Sequence, residues 1–172
     1  MPTPTYVALS KVVLTTTQAT ITFSSIPSTY TDLIVLFSAR TNEASAADSG
    51  FWIYPNNNSG TMSYIRLRGI GSSASSDFNN LDSYWRNAVN GAGGTADTFA
   101  SGELYIPNYA GSTFKVGSWT IVREQNSSTS NQIIAGGGLN SATNAINTLN
   151  FISSGNSFVS GSRFDLYGIK NS

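Results

Sequence analysis

The sequence predicts an all-β protein: a single-domain, two-sheet antiparallel sandwich, jelly-roll-like, with about eight to ten strands. Three observations carry that expectation. Short apolar or alternating runs recur along the chain, each bounded by Gly, Pro, Asn or Ser. The runs are rich in Thr, Tyr, Phe, Val and Ile, side chains that suit a pleated surface. No stretch carries the 3.6-residue periodicity of an amphipathic helix. At 172 residues the chain is long enough for one domain with a real core. Residues 1–5 read as a short extended arm and residues 6–172 as the sandwich.

Tyr6 to Leu14 opens the series. Ala19, Ile21 and Phe23 then alternate with Thr20, Thr22 and Ser24, as a half-buried strand does. The chain turns at Ser25-Ile26-Pro27-Ser28, because Pro27 fixes its φ and offers no ladder donor. Leu33 to Phe37 is apolar at every position, which predicts a central strand covered on both faces. Phe51 to Tyr54 stops at Pro55 and an asparagine run. Tyr64 to Leu67 and the neighbourhood of Tyr84-Trp85 give two more strands, with Gly71 to Ser76 between them as a serine-rich loop. Asn90-Gly91-Ala92-Gly93-Gly94 is the strongest turn signal at mid-chain. Beyond it lie the runs Phe99–Ile106, Phe114–Val122, Gln132–Leu139, Ile146–Ile152 and Phe164–Ile169. Asn140 to Asn147 has room for one helical turn but is too polar to bury a helix face.

The counts exclude several kinds of chemistry. With neither His nor Cys there is no Ser-His-Asp triad, thiol nucleophile, zinc finger or disulfide. Nine basic and nine acidic residues cancel, and only 10% of residues are charged. A nucleic-acid binder needs a clustered positive face, and Arg66 and Arg68, which share a strand face by spacing, do not make one. They read as a solvated face or an interface pair. The longest apolar run, Leu33 to Phe37, is far below the length of a membrane helix. The N-terminus lacks the basic region of a signal peptide, so synthesis in the cytoplasm without membrane association is expected. Asn57-Asn58-Ser59 and Asn126-Ser127-Ser128 match the glycosylation triplet, as chance allows where Ser, Thr and Asn make up about a third of the chain.

Catalysis, if present, would rest on carboxylates such as Asp77, Asp82, Glu103, Glu124 and Asp165, two of which would have to converge in a cleft. Gly91-Ala92-Gly93-Gly94-Thr95-Ala96 matches G-x-G-x-x-A, but no helix follows and Glu103 comes too early, so it reads as a turn. Gly136-Gly137-Gly138 lacks the Lys-Ser/Thr of a phosphate loop and reads as a bend, bulge or close-packing site. No D-x-D-x-D calcium loop is present, which leaves Asp48 or Asp97 as the places to look for a cation. No catalytic residue, cofactor or metal ligand is assigned. Trp52, Trp85 and Trp119 lie in strand-like runs, where core or subunit interface outweighs a sugar-stacking platform. Tyr109, beside Asn108 in a polar loop, is the aromatic expected to be exposed and to touch a ligand or neighbouring subunit. The expected contact residues are therefore Tyr109, Asn108, Trp52, Trp85, Arg66 and Arg68.

Three stretches carry a resemblance: ATITFSSIPSTYTDLIVLFSART, ELYIPNYAGSTFK and FDLYGIK. Together they resemble a group of small tailed-bacteriophage virion proteins that turn through an IP-x-x-Y-x-D-L segment and close on LYGIK. These motifs mark strands and turns, not chemistry. The resemblance implies a jelly-roll-like fold, a place in the virion and a homotrimer, and it brings no catalytic residues. Members are capsid decoration (cement) proteins or heads of tail fibres. Strand-like sequence beginning at Tyr6 leaves little chain for a fibre anchor. The expectation is thus a non-enzymatic decoration protein that binds the major capsid protein on the outer shell and stabilises it. The alternative is a tail-fibre head that recognises host-surface glycans, and a carboxylate-dependent depolymerase comes last.

Overall fold

The computed structural model describes residues 5–57, 61–126 and 131–170. Most of the proposed arm and both glycosylation triplets extend outside the described residues. Twelve strands form: β1 (Tyr6–Val13), β2 (Thr20–Phe23), β3 (Asp32–Ala39), β4 (Asp48–Pro55), β5 (Met62–Ile70) and β6 (Ser73–Asp82), then β7 (Trp85–Asn90), β8 (Ala100–Ile106), β9 (Lys115–Arg123), β10 (Gln132–Asn140), β11 (Leu149–Ser153) and β12 (Arg163–Ile169). They make an eight-stranded sheet in the order β1-β12-β3-β8-β9-β10-β5-β6 and a four-stranded sheet in the order β2-β11-β4-β7. Every ladder between them is antiparallel. The expected two-sheet, all-β sandwich is the fold.

The pairing also identifies the wrap. Take out β5-β6 and β9-β10, and the remaining strands pair outside-in: β1 with β12, β2 with β11, β3 with β8, β4 with β7. Those pairs fall alternately in the large and the small sheet, as when one long antiparallel hairpin is rolled into a barrel. This is a jelly roll. The two inserted pairs add four strands to one side of the large sheet, with β10 bridging to β5.

Two elements differ from expectation. The Gly71–Ser76 stretch, read as a loop, is mostly strand: β6 pairs with β5 from Ile70↔Ser73 to Met62↔Asp82 around a tight turn with Gly71 at φ 56°. Its sequence carries no apolar alternation because it is an edge strand exposed along nearly its whole length, so only the backbone ladder with β5 defines it. That unseen strand is part of why the total exceeds eight to ten. The second is β3, which lies inside the large sheet but is not covered on both faces. Leu33, Val35 and Phe37 are buried on the inner face and Ile34 on the outer one, while Leu36, also outward, is 41% exposed. Among the described residues, no further strand covers the outer face of that sheet at Leu36.

Between the sheets the core is aromatic. Phe37, Phe51, Phe151 and Phe164 pack with ring centroids 5.2–6.3 Å apart, and Phe158 joins them from the loop before β12. On the inserted side Trp85 and Trp119 fill the gap with centroids 5.9 Å apart. Their rings lie directly on glycines. A Cβ at Gly117 would meet Trp85 Cζ3 at 2.7 Å, and one at Gly136 would meet Trp119 Cζ2 at 2.7 Å. Gly136 and Gly138 are thus a close-packing bed for the indoles, with Gly137 between them facing the other way. The Gly91–Ala96 loop is likewise structural: Arg40, buried beneath it, donates to the Thr95 carbonyl at 2.5 Å and the Thr98 carbonyl at 2.9 Å.

Candidate functional site

The three tryptophans part company in the folded chain. Trp85 and Trp119 are core. Trp52 points the other way, to the outer face of the small sheet, because strand alternation puts Phe51 and Ile53 inward. Tyr54, two residues on, shares that outer face, and Tyr84, just before β7, closes on both. Trp52 and Tyr84 are nearly stacked, with centroids 4.9 Å apart and planes at 30°. Tyr54 lies 5.6 Å from Tyr84 and 6.5 Å from Trp52. All three are half-buried.

Around this cluster the outer face is mostly polar. Trp52 is paired across the ladders with Arg86 on one side and Ile152 on the other, and Tyr54 with Asn150. Asn150 accepts a hydrogen bond from the Thr22 hydroxyl at 2.7 Å and donates one to Asn57 Oδ1 at 2.5 Å. Burial raises the Tyr54 hydroxyl above its ordinary value, with Tyr84 and Asp82 adding to the effect. Burial also raises Tyr84, helped by Asp82 and partly opposed by Arg86. Both phenols therefore stay protonated at neutral pH and can donate. Of this group the sequence reading singled out only Trp52. The Trp-Ile-Tyr alternation shows that Tyr54 shares its face, but Tyr84 joins only through the β4-β7 ladder.

The other expected contacts are relocated. Tyr109 is not an exposed loop aromatic. It is fully buried, and its hydroxyl donates to the Pro27 carbonyl, pinning the 107–112 turn to the loop after β2. Neighbouring Asn108 stays exposed, at φ 47°, with its N–H donated to Asp32 Oδ1 at 2.9 Å. Arg66 and Arg68 do share a face of β5, but it is the inward one. Arg66 is 3% exposed, sits 5.6 Å from the Tyr64 ring, and grips Asp77 with two hydrogen bonds, one of 3.0 Å. Burial by itself would raise the Asp77 carboxyl; the bonds from Arg66 and the charges of Arg66, Arg68 and Arg86 outweigh it and hold the group low. Arg66 is thus held inside the fold and is no solvated side chain, while Arg68 is half-buried on the same face.

Several of the carboxylates are engaged by neighbouring groups. Asp77 is held by Arg66, Asp48 lies 3.3 Å from Arg123, and Glu124 accepts from the Asn126 N–H. Glu103 and Asp165 face a shallow groove of about 520 Å³ on the outer face of the large sheet, flanking Leu36 from the two neighbouring strands. That places them two strand spacings apart, roughly 10 Å between backbones. Both Asp165 oxygens accept from Arg163, at 2.5 and 3.1 Å, so this carboxylate is already engaged by its own strand neighbour. Among the described residues, no three acids come together as a metal site.

The outer face of the large sheet is the molecule's other unusual surface. Phe78, Leu67, Ile65 and Ile133 are 69%, 60%, 57% and 51% exposed, and they occupy neighbouring positions on β6, β5 and β10. Val122 and Leu36 continue the apolar character towards β3. Single exposed apolar residues are ordinary, but several on one face mark a contact surface. In comparisons with models of protein families, with curated proteins and with solved structures, the chain matches none.

Proposed function

We propose that this protein is a non-enzymatic structural component of a bacteriophage virion, a decoration protein that docks on the outer capsid surface and stabilises the shell. The observation that carries the reading is the exposed apolar face formed by Phe78, Ile65, Leu67 and Ile133 on the large sheet. Burying such side chains against a partner contributes about 25 cal/mol per Å² of apolar surface, without any help from charge. The sequence stretches that resemble tailed-phage virion proteins support the same reading, and with it a homotrimer bound to the major capsid protein. A protein of this kind acts by mass action on the assembled shell, adding association free energy rather than chemistry.

The test uses particles lacking the protein. Purified protein added back should bind in many copies per shell and raise the temperature at which the shell releases its genome. Leu67→Glu and Phe78→Asp, both at exposed positions, should leave folding intact and reduce add-back at least tenfold. A handful of copies confined to the tail would overturn the reading. A second reading, a tail-fibre head that recognises glycans, draws on the aromatic cluster of Trp52, Tyr54 and Tyr84, and tail-only labelling would favour it.

A further inference from the structure

Trp52, Tyr54 and Tyr84 lie on a face that has no need of aromatic side chains for packing. The hydrophobic core is on the opposite face of the small sheet, and among the described residues no other strand lies over the outer one. The neighbouring outward positions on β2 and β11 are Thr20, Thr22, Asn150 and Ile152, three of the four polar. Three rings gathered there, each keeping part of its surface in water, form an apolar platform set in a polar surround.

We propose that this platform is a carbohydrate-binding site for a neutral, hexose-containing polysaccharide. A pyranose ring presents an apolar face of C–H groups, which packs on an aromatic ring, and a rim of hydroxyls, which needs amide, hydroxyl and charged partners. The site offers both. Trp52 and Tyr84 supply the ring surfaces, the phenols of Tyr54 and Tyr84 supply donors, and Arg86 flanks Trp52 directly across the ladder. The three ring centroids lie 4.9–6.5 Å from one another. A stable protein interface covers about 800 Å² on each partner, far more than three half-buried rings provide. A polysaccharide suits so small a platform, because repeated units make weak single contacts add up. The inference deepens the glycan-recognising reading by naming the site and the ligand class, and it holds wherever on the particle the protein sits.

The test is affinity electrophoresis and tryptophan fluorescence titration of the full chain against laminarin, dextran and galactomannan. At least one of them should retard the protein and shift its emission, since Trp52 is the partly exposed indole while Trp85 and Trp119 are buried. Trp52→Ala should weaken binding at least tenfold, and Trp52→Phe should keep part of the binding while losing the emission change. Both variants should melt close to the wild type, which separates loss of a site from loss of the fold. No retardation by any of the three polysaccharides would overturn the inference. Undiminished binding by Trp52→Ala would overturn it too, as would a self-associated protein that Trp52→Ala converts to monomer without glycan binding. Particle add-back with Trp52→Ala keeps the outcomes distinct: normal shell binding without glycan binding leaves the decoration reading standing on the other sheet.

Discussion

Replacing Gly117 by alanine puts a methyl group into space that the Trp85 indole already fills. The new Cβ would lie 2.7 Å from Cζ3 and 2.8 Å from Cη2, against an ordinary contact of 3.4 Å or more. The indole has little freedom to retreat. It is fully buried, it lies across Gly138 on the next strand as well, and its Nε1 donates to the Leu139 carbonyl at 3.3 Å. Overpacking of this kind costs about 1–3 kcal/mol, while alanine's smaller unfolded-state entropy returns about 0.4–1. The net loss of about 1–2 kcal/mol corresponds to a melting temperature lower by roughly 2–8 °C for a chain of this size. Gly137 is the internal control. It faces outward on the adjoining strand, and its added Cβ would find only the Gly117 carbonyl, at 3.7 Å. Gly137→Ala should therefore be neutral or stabilising by up to about 1 kcal/mol. Urea unfolding of both variants at one protein concentration, with m held in common, reads the difference. Trp85→Phe made in the Gly117→Ala background should recover most of the alanine's cost. If Gly117→Ala is as stable as Gly137→Ala, the account of the glycines as a bed for the indoles is wrong.

Tyr109→Phe should cost about 1 kcal/mol in urea unfolding, through loss of the hydroxyl's bond to the Pro27 carbonyl. Acid should weaken the fold through Asp77. Its folded carboxyl lies below the unfolded value near 3.8, so the stability it contributes is present above that value and is lost as pH falls through the folded one. Asp77→Asn should accordingly show a shallower fall in thermal stability below about pH 4, while being the less stable protein at pH 7. Lys115→Met removes an ammonium that is 1% exposed and donates to the carbonyls of Gly111, Thr113 and Thr143 at 2.7, 2.5 and 3.1 Å. It should cost about 2 kcal/mol or more in the same assay. Gln132→Met should go the other way and be neutral or stabilising, because both amide atoms of Gln132 are buried without a hydrogen-bond partner among the described residues.

Several features were legible in the chain for a simple physical reason: they are local. Alternation such as Thr20-Ile21-Thr22-Phe23 states both the strand and its buried face, and the observed pattern has Ile21 and Phe23 inside. Turn chemistry marked the glycine loop at residues 91–94 because its cause lies within it. Tyr109 was misplaced for the opposite reason. A tyrosine in a run of Asn, Ala, Gly and Ser reads as exposed, and only the approach of Pro27, 82 residues earlier, buries it. The same limit applied to Arg66 and Arg68. Their spacing shows a shared face, but which face depends on the pairing of β5 with β6 and β10.

By itself the sequence determined the all-β class, the sandwich, most of the strands and the absence of His and Cys chemistry. The tertiary structure decided which sheet each strand joined, and through that the placing of every candidate side chain. Tyr54, Tyr84 and Trp52 meet because β4 lies beside β7, and Phe78 meets Ile65 because β6 folds back on β5. Strand pairing is a long-range choice that depends on how the whole chain closes its core, so no window of sequence contains it. Alternation tells a side chain that it faces away from its neighbours in the chain; only the assembled sheets settle whether that direction is core, solvent or a binding surface.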